Sequence, residues 1–159
     1  MKRIVPFSLL LILSLTIFAA FRGNPDDRTI AFDEYLEQLG YEIPAQGSHK
    51  FLILTEDGCR GCSREIRDEW HNIAHDSLNV TTILVYYNVA RPDKFSQLQN
   101  SKDHRVIVDE YNLLTKYATL GVITDGLVEV DDGSVTFSET IDKKNIASIF
   151  TRLGITATI

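Results

Sequence analysis

The chain has 159 residues, 44% of them hydrophobic and 24% charged, with a formal net charge of −6. That length and balance accommodate one domain with a real core once any targeting segment is set aside. The acidic balance excludes the basic face that a nucleic-acid footprint requires, and otherwise speaks to solubility.

Lys2 and Arg3 precede an uncharged run of 18 residues from Ile4 to Phe21. A positive flank followed by an apolar stretch sets residues 1–21 outside the fold, as a signal or membrane-anchor helix. As a helix the run spans roughly 27 Å, enough to cross the hydrocarbon core of a bilayer. A cleavage site asks for small residues at two positions spaced one apart, but Ala20 is matched by Phe18 and Ala19 by Ile17. The reading therefore leans toward a retained anchor that binds the membrane, with the positive flank inside and the remainder exported, periplasmic if the cell is Gram-negative.

Residues 22–47 read as a linker and a leading helix. Arg22 to Arg28 is polar and holds Gly23 and Pro25. Thr29 to Leu39 then places Ile30, Tyr35, Leu36 and Leu39 at near-helical spacing and stops at Gly40. The domain proper is expected over 48–159. Phe51 to Leu54 is a short apolar run, a buried strand, and it leads through Thr55-Glu56-Asp57-Gly58 into Cys59. A helix is expected from Cys62 to Asp76, with Ile66, Trp70, Ile73 and Ala74 on its inner face and Arg64, Glu65, Arg67, Asp68 and Glu69 mostly elsewhere. Val80 to Val89 is rich in β-branched and aromatic residues, as in a central strand. Pro92 to Leu98 suits a short helix, Val106 to Val108 a third strand, and Leu113, Leu114, Tyr117 and Leu120 a further helix. Leu127 to Val130 and Ser134 to Phe137 flank Asp131-Asp132-Gly133, a hairpin signal, and Asp142 to Leu153 closes the domain with a helix. Strands alternating with helices imply parallel pairing at the front of the domain, and the hairpin adds antiparallel strands at its end.

The chain has two cysteines, three positions apart. A disulfide between them closes too short a loop to stabilise a fold much, which favours a chemical role for the pair.

A Cys-x-x-Cys pair at the end of the first core strand, before a helix and ahead of a hairpin, resembles the thioredoxin superfamily. More specifically, it is similar to the exported redoxin and cytochrome-maturation type with an N-terminal membrane anchor. The matching pieces are Phe51 to Leu54 leading into Cys59-Arg60-Gly61-Cys62, Val106 to Asp109, and Tyr117 to Val122 before Leu127 to Gly133. The resemblance implies an α/β, thioredoxin-like fold, a central mixed sheet of about four to five strands flanked by helices. It also implies thiol–disulfide exchange with protein thiols and disulfides, without a cofactor or resident metal. Two positions depart from the family. Gly58 stands where the family has a tryptophan before the first cysteine. Thr124-Asp125-Gly126 stands where the family has a cis-proline, Pro92 being the last proline in the chain.

In that frame Cys59, at a helix N-terminus, is the attacking thiol and Cys62 resolves the mixed disulfide. The helix terminus and Arg60 favour the thiolate. Glu56, Asp57 and Asp125 oppose it, and Gly61 loosens the turn between the cysteines. Alternative readings are a non-catalytic thioredoxin-like accessory module and a copper- or zinc-handling protein. Cys59, Cys62, His71 and His75 spell a zinc-like spacing, but a single helix sets Cys62 and His71 about 13 Å apart along its axis. The metal alternative therefore turns to the cysteine pair with His104 or His49. His71 and His75 themselves read as two solvated helix residues.

Overall fold

Pro25 opens the first helix, α1 (Pro25–Gln38), in the computed structural model, which describes residues 25–56, 58, 64–75, 77–87 and 104–155. Proline lacks an N–H and its φ is already helical, so it suits a first turn, and half of the expected linker is helix instead. The inward stripe also differs from the one read off the sequence. Ala31, Phe32, Tyr35 and Leu36 are buried, whereas Ile30 is 57% exposed. At 100° per residue Ile30 lies on the far side from Phe32 and Leu36, so one apolar residue of the pattern was assigned to the wrong face. The helix stops at Gly40, whose φ is +79°. Gly40 N–H donates to the Glu37 carbonyl and Tyr41 N–H to that of Leu36, each at 2.9 Å, which satisfies carbonyls the helix leaves open.

Five strands follow: β1 (Ser48–Thr55), β2 (Val80–Val85), β3 (Arg105–Asp109), β4 (Gly126–Asp131) and β5 (Ser134–Thr140). They form one sheet in the order β3-β2-β1-β4-β5. The β1–β2 and β2–β3 pairs are parallel, and β1–β4 and β4–β5 are antiparallel. This α/β architecture, a five-stranded mixed sheet flanked by helices, is consistent with the thioredoxin-like fold expected. The β4–β5 turn is closed by Asp132 and Gly133 at φ +46° and +78°, the left-handed pair that a two-residue hairpin requires.

Alternation along the strands builds two cores. Phe51, Ile53, Ile83, Val85, Ile107 and Val128 face α1. Leu52, Leu54, Leu84 and Leu127 face the other layer, made of α2 (Arg64–Asp68), a 3-10 turn (Trp70–Asn72) and α3 (Ile146–Arg152). The single helix expected through Asp76 is therefore broken at Glu69. Ile66, Trp70 and Ile73 are still buried, and the tighter turn lets Trp70 Nε1 donate to Thr82 Oγ1 at 2.9 Å. The expected helix over Leu113 to Leu120 is two short 3-10 turns, Leu113–Lys116 and Ala118–Leu120. The closing helix starts at Ile146 rather than Asp142 and ends at Gly154, φ +68°. The expected Pro92–Leu98 helix and the apolar run Ile4–Phe21 lie outside the described residues. Among those described, no helix is long and apolar enough to cross a membrane.

Candidate functional site

The three parallel strands end level with one another. Thr55 of β1 pairs with Val85 of β2, and Val85 with Asp109 of β3. At the same edge β4 begins at Gly126, opposite Ile53, so the chain brings Asp125 up beside Thr55. The order of strands reverses direction between β1 and β4. In open α/β sheets a crevice for ligands forms at such a reversal, beyond the carboxyl ends of the strands.

Asp125 has no exposed surface. Its Oδ1 accepts from the Thr55 N–H at 2.6 Å and from Thr55 Oγ1 at 3.0 Å. Arg67 Nη2, reaching over from α2, donates to Oδ1 at 2.9 Å and to Oδ2 at 2.8 Å. The same nitrogen donates to the Thr55 carbonyl at 2.5 Å. Removing a carboxylate from water costs several kcal/mol, so such a group persists only when both charge and lone pairs are matched, as they are here. One side chain thus ties the end of β1, the start of β4 and the helix α2.

Gly58 completes the arrangement. A Cβ at this position would lie 2.4 Å from Asp125 Oδ1 and 2.5 Å from Oδ2, closer than any real Cβ comes to an oxygen. The glycine is there for space: its hydrogen leaves room for the carboxylate. Gly58 and Asp125, far apart in the sequence, are therefore one feature. A side chain at position 58 would have to displace the Asp125 carboxylate. Among the described residues no peptide bond is cis, so the chain enters β4 through a trans Thr124–Asp125 bond.

Of the residues singled out in the sequence, Asp125 is placed at this edge. Cys59, Arg60, Gly61 and Cys62 lie outside the described residues, as does Asp57. The described chain reaches Gly58 directly before them and resumes at Arg64, the first residue of α2. Sequence reasoning missed Arg67, which was assigned to the outer part of its helix. The available signal was Asp125 itself, because a carboxylate at a buried strand start needs a cation.

A second buried aspartate, Asp109, ends β3, three places along the sheet from β4. Asp109 accepts from the Tyr35 hydroxyl at 3.1 Å and from the backbone N–H groups of Tyr111, Leu113 and Leu114 at 3.2, 3.0 and 3.1 Å. It caps the 3-10 turn after β3. Burial, and then Asp109, push the Tyr35 hydroxyl well above its ordinary pKa. The Tyr86 hydroxyl, just past β2, is also raised, by burial first and then by the negative charges of Glu56 and Glu110.

The histidines gather at the opposite edge. His75 is buried, 3.9 Å from the His104 ring and 5.0 Å from Trp70 between ring centroids, while His71 is exposed. The two residues expected as solvated neighbours on one helix are not on one: His71 lies in the 3-10 turn that ends at Asn72, His75 lies beyond it, and of the two only His71 is exposed. His49 lies near the start of β1, six residues before Thr55, or roughly 20 Å along the strand. His104 precedes β3, roughly 16 Å from its carboxyl end by the same spacing. Neither stands at the edge where the chain enters Cys59. Among the described residues no group of three or more His, Cys, Asp or Glu is arranged to hold a metal ion.

Compared with known proteins, the chain matches no family model and no curated sequence.

Proposed function

We propose that the protein is an exported, membrane-tethered thiol–disulfide oxidoreductase that exchanges disulfides with partner proteins through Cys59 and Cys62. The Cys59 thiolate attacks a partner disulfide, forming a mixed disulfide and releasing one partner thiolate. Cys62 then attacks Cys59 Sγ, which releases the second partner thiolate and leaves a Cys59–Cys62 disulfide. Two electrons pass to the partner, and the reverse sequence oxidises a partner dithiol.

The observation that carries this reading is the bracketing of the cysteine pair. Gly58 ends the excursion from β1 at the carboxyl edge of the sheet, and Arg64 opens α2 two residues after Cys62. In chain order the dithiol thus falls between a strand end and a helix start, the order that supports an exchange role for it. Tyr87, Tyr111 and Ile123 follow β2, follow β3 and precede β4 at this edge, and all three are exposed, which suits a protein partner.

The test is a redox titration of the full-length protein in mild detergent across defined glutathione and dithiothreitol ratios, with free thiols counted by a mass-tagging alkylator. A reversible two-electron midpoint in the range of roughly −120 to −270 mV is expected, and its value assigns oxidant or reductant. Thiols that never oxidise reversibly, or a disulfide that resists reduction throughout, would remove the exchange reading. The second reading, a non-catalytic accessory module of the same fold, is favoured by the carboxylate at 125 in place of the proline ring. The Cys59→Ser variant separates the two, since it abolishes exchange in the first case and leaves partner binding intact in the second.

A further inference from the structure

A cavity of about 370 Å³ opens at the other end of the sheet, where the parallel strands begin. That volume falls in the roughly 300 to 1,000 Å³ range of small-molecule pockets. Strand register builds its floor. Phe51, Thr81 and Arg105 stand side by side on β1, β2 and β3, so their side chains share one face, and Phe51 places that row on the α1 side. Ile107 follows on the same face, two residues after Arg105. α1 itself runs against β5, at the far edge of the sheet from β3. This corner is walled instead by Tyr41, Glu42 and Pro44, just past the turn at Gly40, and by His49, whose Nε2–H donates to the Gln46 carbonyl at 3.0 Å.

The interior of the cavity is apolar and its mouth is charged. Phe51 and Ile107 are buried, and Tyr41, 46% exposed, supplies a second ring. Glu42 and Arg105 are exposed. Neither side chain makes an ion pair or hydrogen bond with the other or with any described residue. The nearby charges on the opposite face are paired, Glu129 with both Lys50 and Arg152. A ligand carrying only a carboxylate would meet Arg105 but also the like charge of Glu42, and one carrying only an amine meets the reverse conflict. A ligand carrying both charges satisfies both side chains. We propose that the cavity binds a free aromatic α-amino acid, its carboxylate on Arg105, its ammonium on Glu42 and its ring against Phe51, Tyr41 and Ile107. A guanidinium matches a carboxylate with two parallel N–H donors, and ring against ring adds edge or offset contacts to the apolar area buried. Phe51 lies four residues before Thr55, roughly 13 Å along β1, so this site is separate from the cysteine edge and does not rest on the exchange reading.

The test titrates full-length protein in mild detergent with L-phenylalanine, read by saturation-transfer NMR on the ligand against a detergent-only blank. Saturable binding in the millimolar range or tighter is expected. 3-Phenylpropionate, which lacks the ammonium, and phenethylamine, which lacks the carboxylate, should each bind about tenfold more weakly. Glycine, which lacks the ring, should not compete. Arg105→Gln should weaken phenylalanine about tenfold and leave phenethylamine no weaker than before. Glu42→Gln should likewise weaken phenylalanine and spare 3-phenylpropionate. Both positions are exposed, so neither variant threatens the fold. The absence of saturation by phenylalanine in the millimolar range overturns the proposal. So does phenylalanine binding that neither substitution weakens, which places the ligand elsewhere. Equal affinity for all three ring compounds also overturns it, because the two charges then select nothing.

Discussion

Asp109 and Asp125 stand at the same edge of the sheet, equally buried, yet they are held by different kinds of partner. Asp109 is surrounded by neutral donors, three of them backbone N–H groups two, four and five residues further along its own chain. Asp125 draws on residues 70 and 58 positions away, and one of those is a cation. The first carboxylate is satisfied by a turn that forms locally as β3 ends. The second gains its partners only once β1, β4 and α2 have assembled. Buried charge at this edge therefore serves two purposes: Asp109 shapes a loop, and Asp125 joins three elements around the segment that carries the cysteines.

The largest effect is expected from stranding Asp125. Arg67→Met leaves a buried carboxylate without its cation and should cost about 3 kcal/mol, the low end for such a loss because the guanidinium is partly exposed. The urea midpoint of the full-length protein in mild detergent measures it. Gly58→Ala comes next, at about 2 kcal/mol, because a methyl group must displace the carboxylate. Combined with Asp125→Ser, the same alanine should cost far less than the sum of the two changes, and strict additivity would show that the contact is unimportant. Making one substitution at both aspartates sharpens the contrast further. Asp109→Asn keeps an acceptor for the Tyr111 and Leu113 N–H groups, turns its amide nitrogen toward that of Leu114, and should cost about 1 to 2 kcal/mol, less than Asp125→Asn, which leaves a cation facing an amide. Equal losses would break the distinction between the two sites.

The smallest effect at neutral pH belongs to Tyr35→Phe, under about 1 kcal/mol for one hydrogen bond. Its signature lies in alkali. The folded pKa is raised above the ordinary 10, so the hydroxyl contributes fully below pH 10, where both states hold the proton. Above that pH the unfolded chain releases the proton and the folded chain keeps it, and stability falls by up to about 1.4 kcal/mol per pH unit. Denaturant midpoints between pH 9 and 11 should decline less steeply in the phenylalanine variant. Parallel curves would mean that Tyr35 does not keep its proton in the folded state.

Much of the frame was legible because strands advertise themselves. Apolar runs at Phe51, Val80 and Val106 and the Asp132-Gly133 turn carry local signals that tertiary packing did not override. The helices were less legible. Ile66, Trp70 and Ile73 fit a helical stripe, but the same residues are also buried when the chain tightens at Trp70, and the pattern cannot tell these apart. Ile30 satisfied the spacing of α1 yet faces solvent, because Phe32 and Leu36 define a stripe that excludes it. At the site, Gly58 and Asp125 each stood out as a departure from the family pattern. Their mutual contact, and the part played by Arg67, span 58 residues or more and leave no periodic trace.

The contact between Gly58 and Asp125 also constrains how this edge can change over generations. A bulky residue at 58 meets the carboxylate if it is introduced first. An uncharged residue at 125 abandons Arg67 if that substitution comes first. Each single step toward the pattern of the resembled family thus descends before it can rise, and the order of steps matters as much as their sum. Gly58, Arg67 and Asp125 form an epistatic block, to be inherited, transplanted or redesigned together.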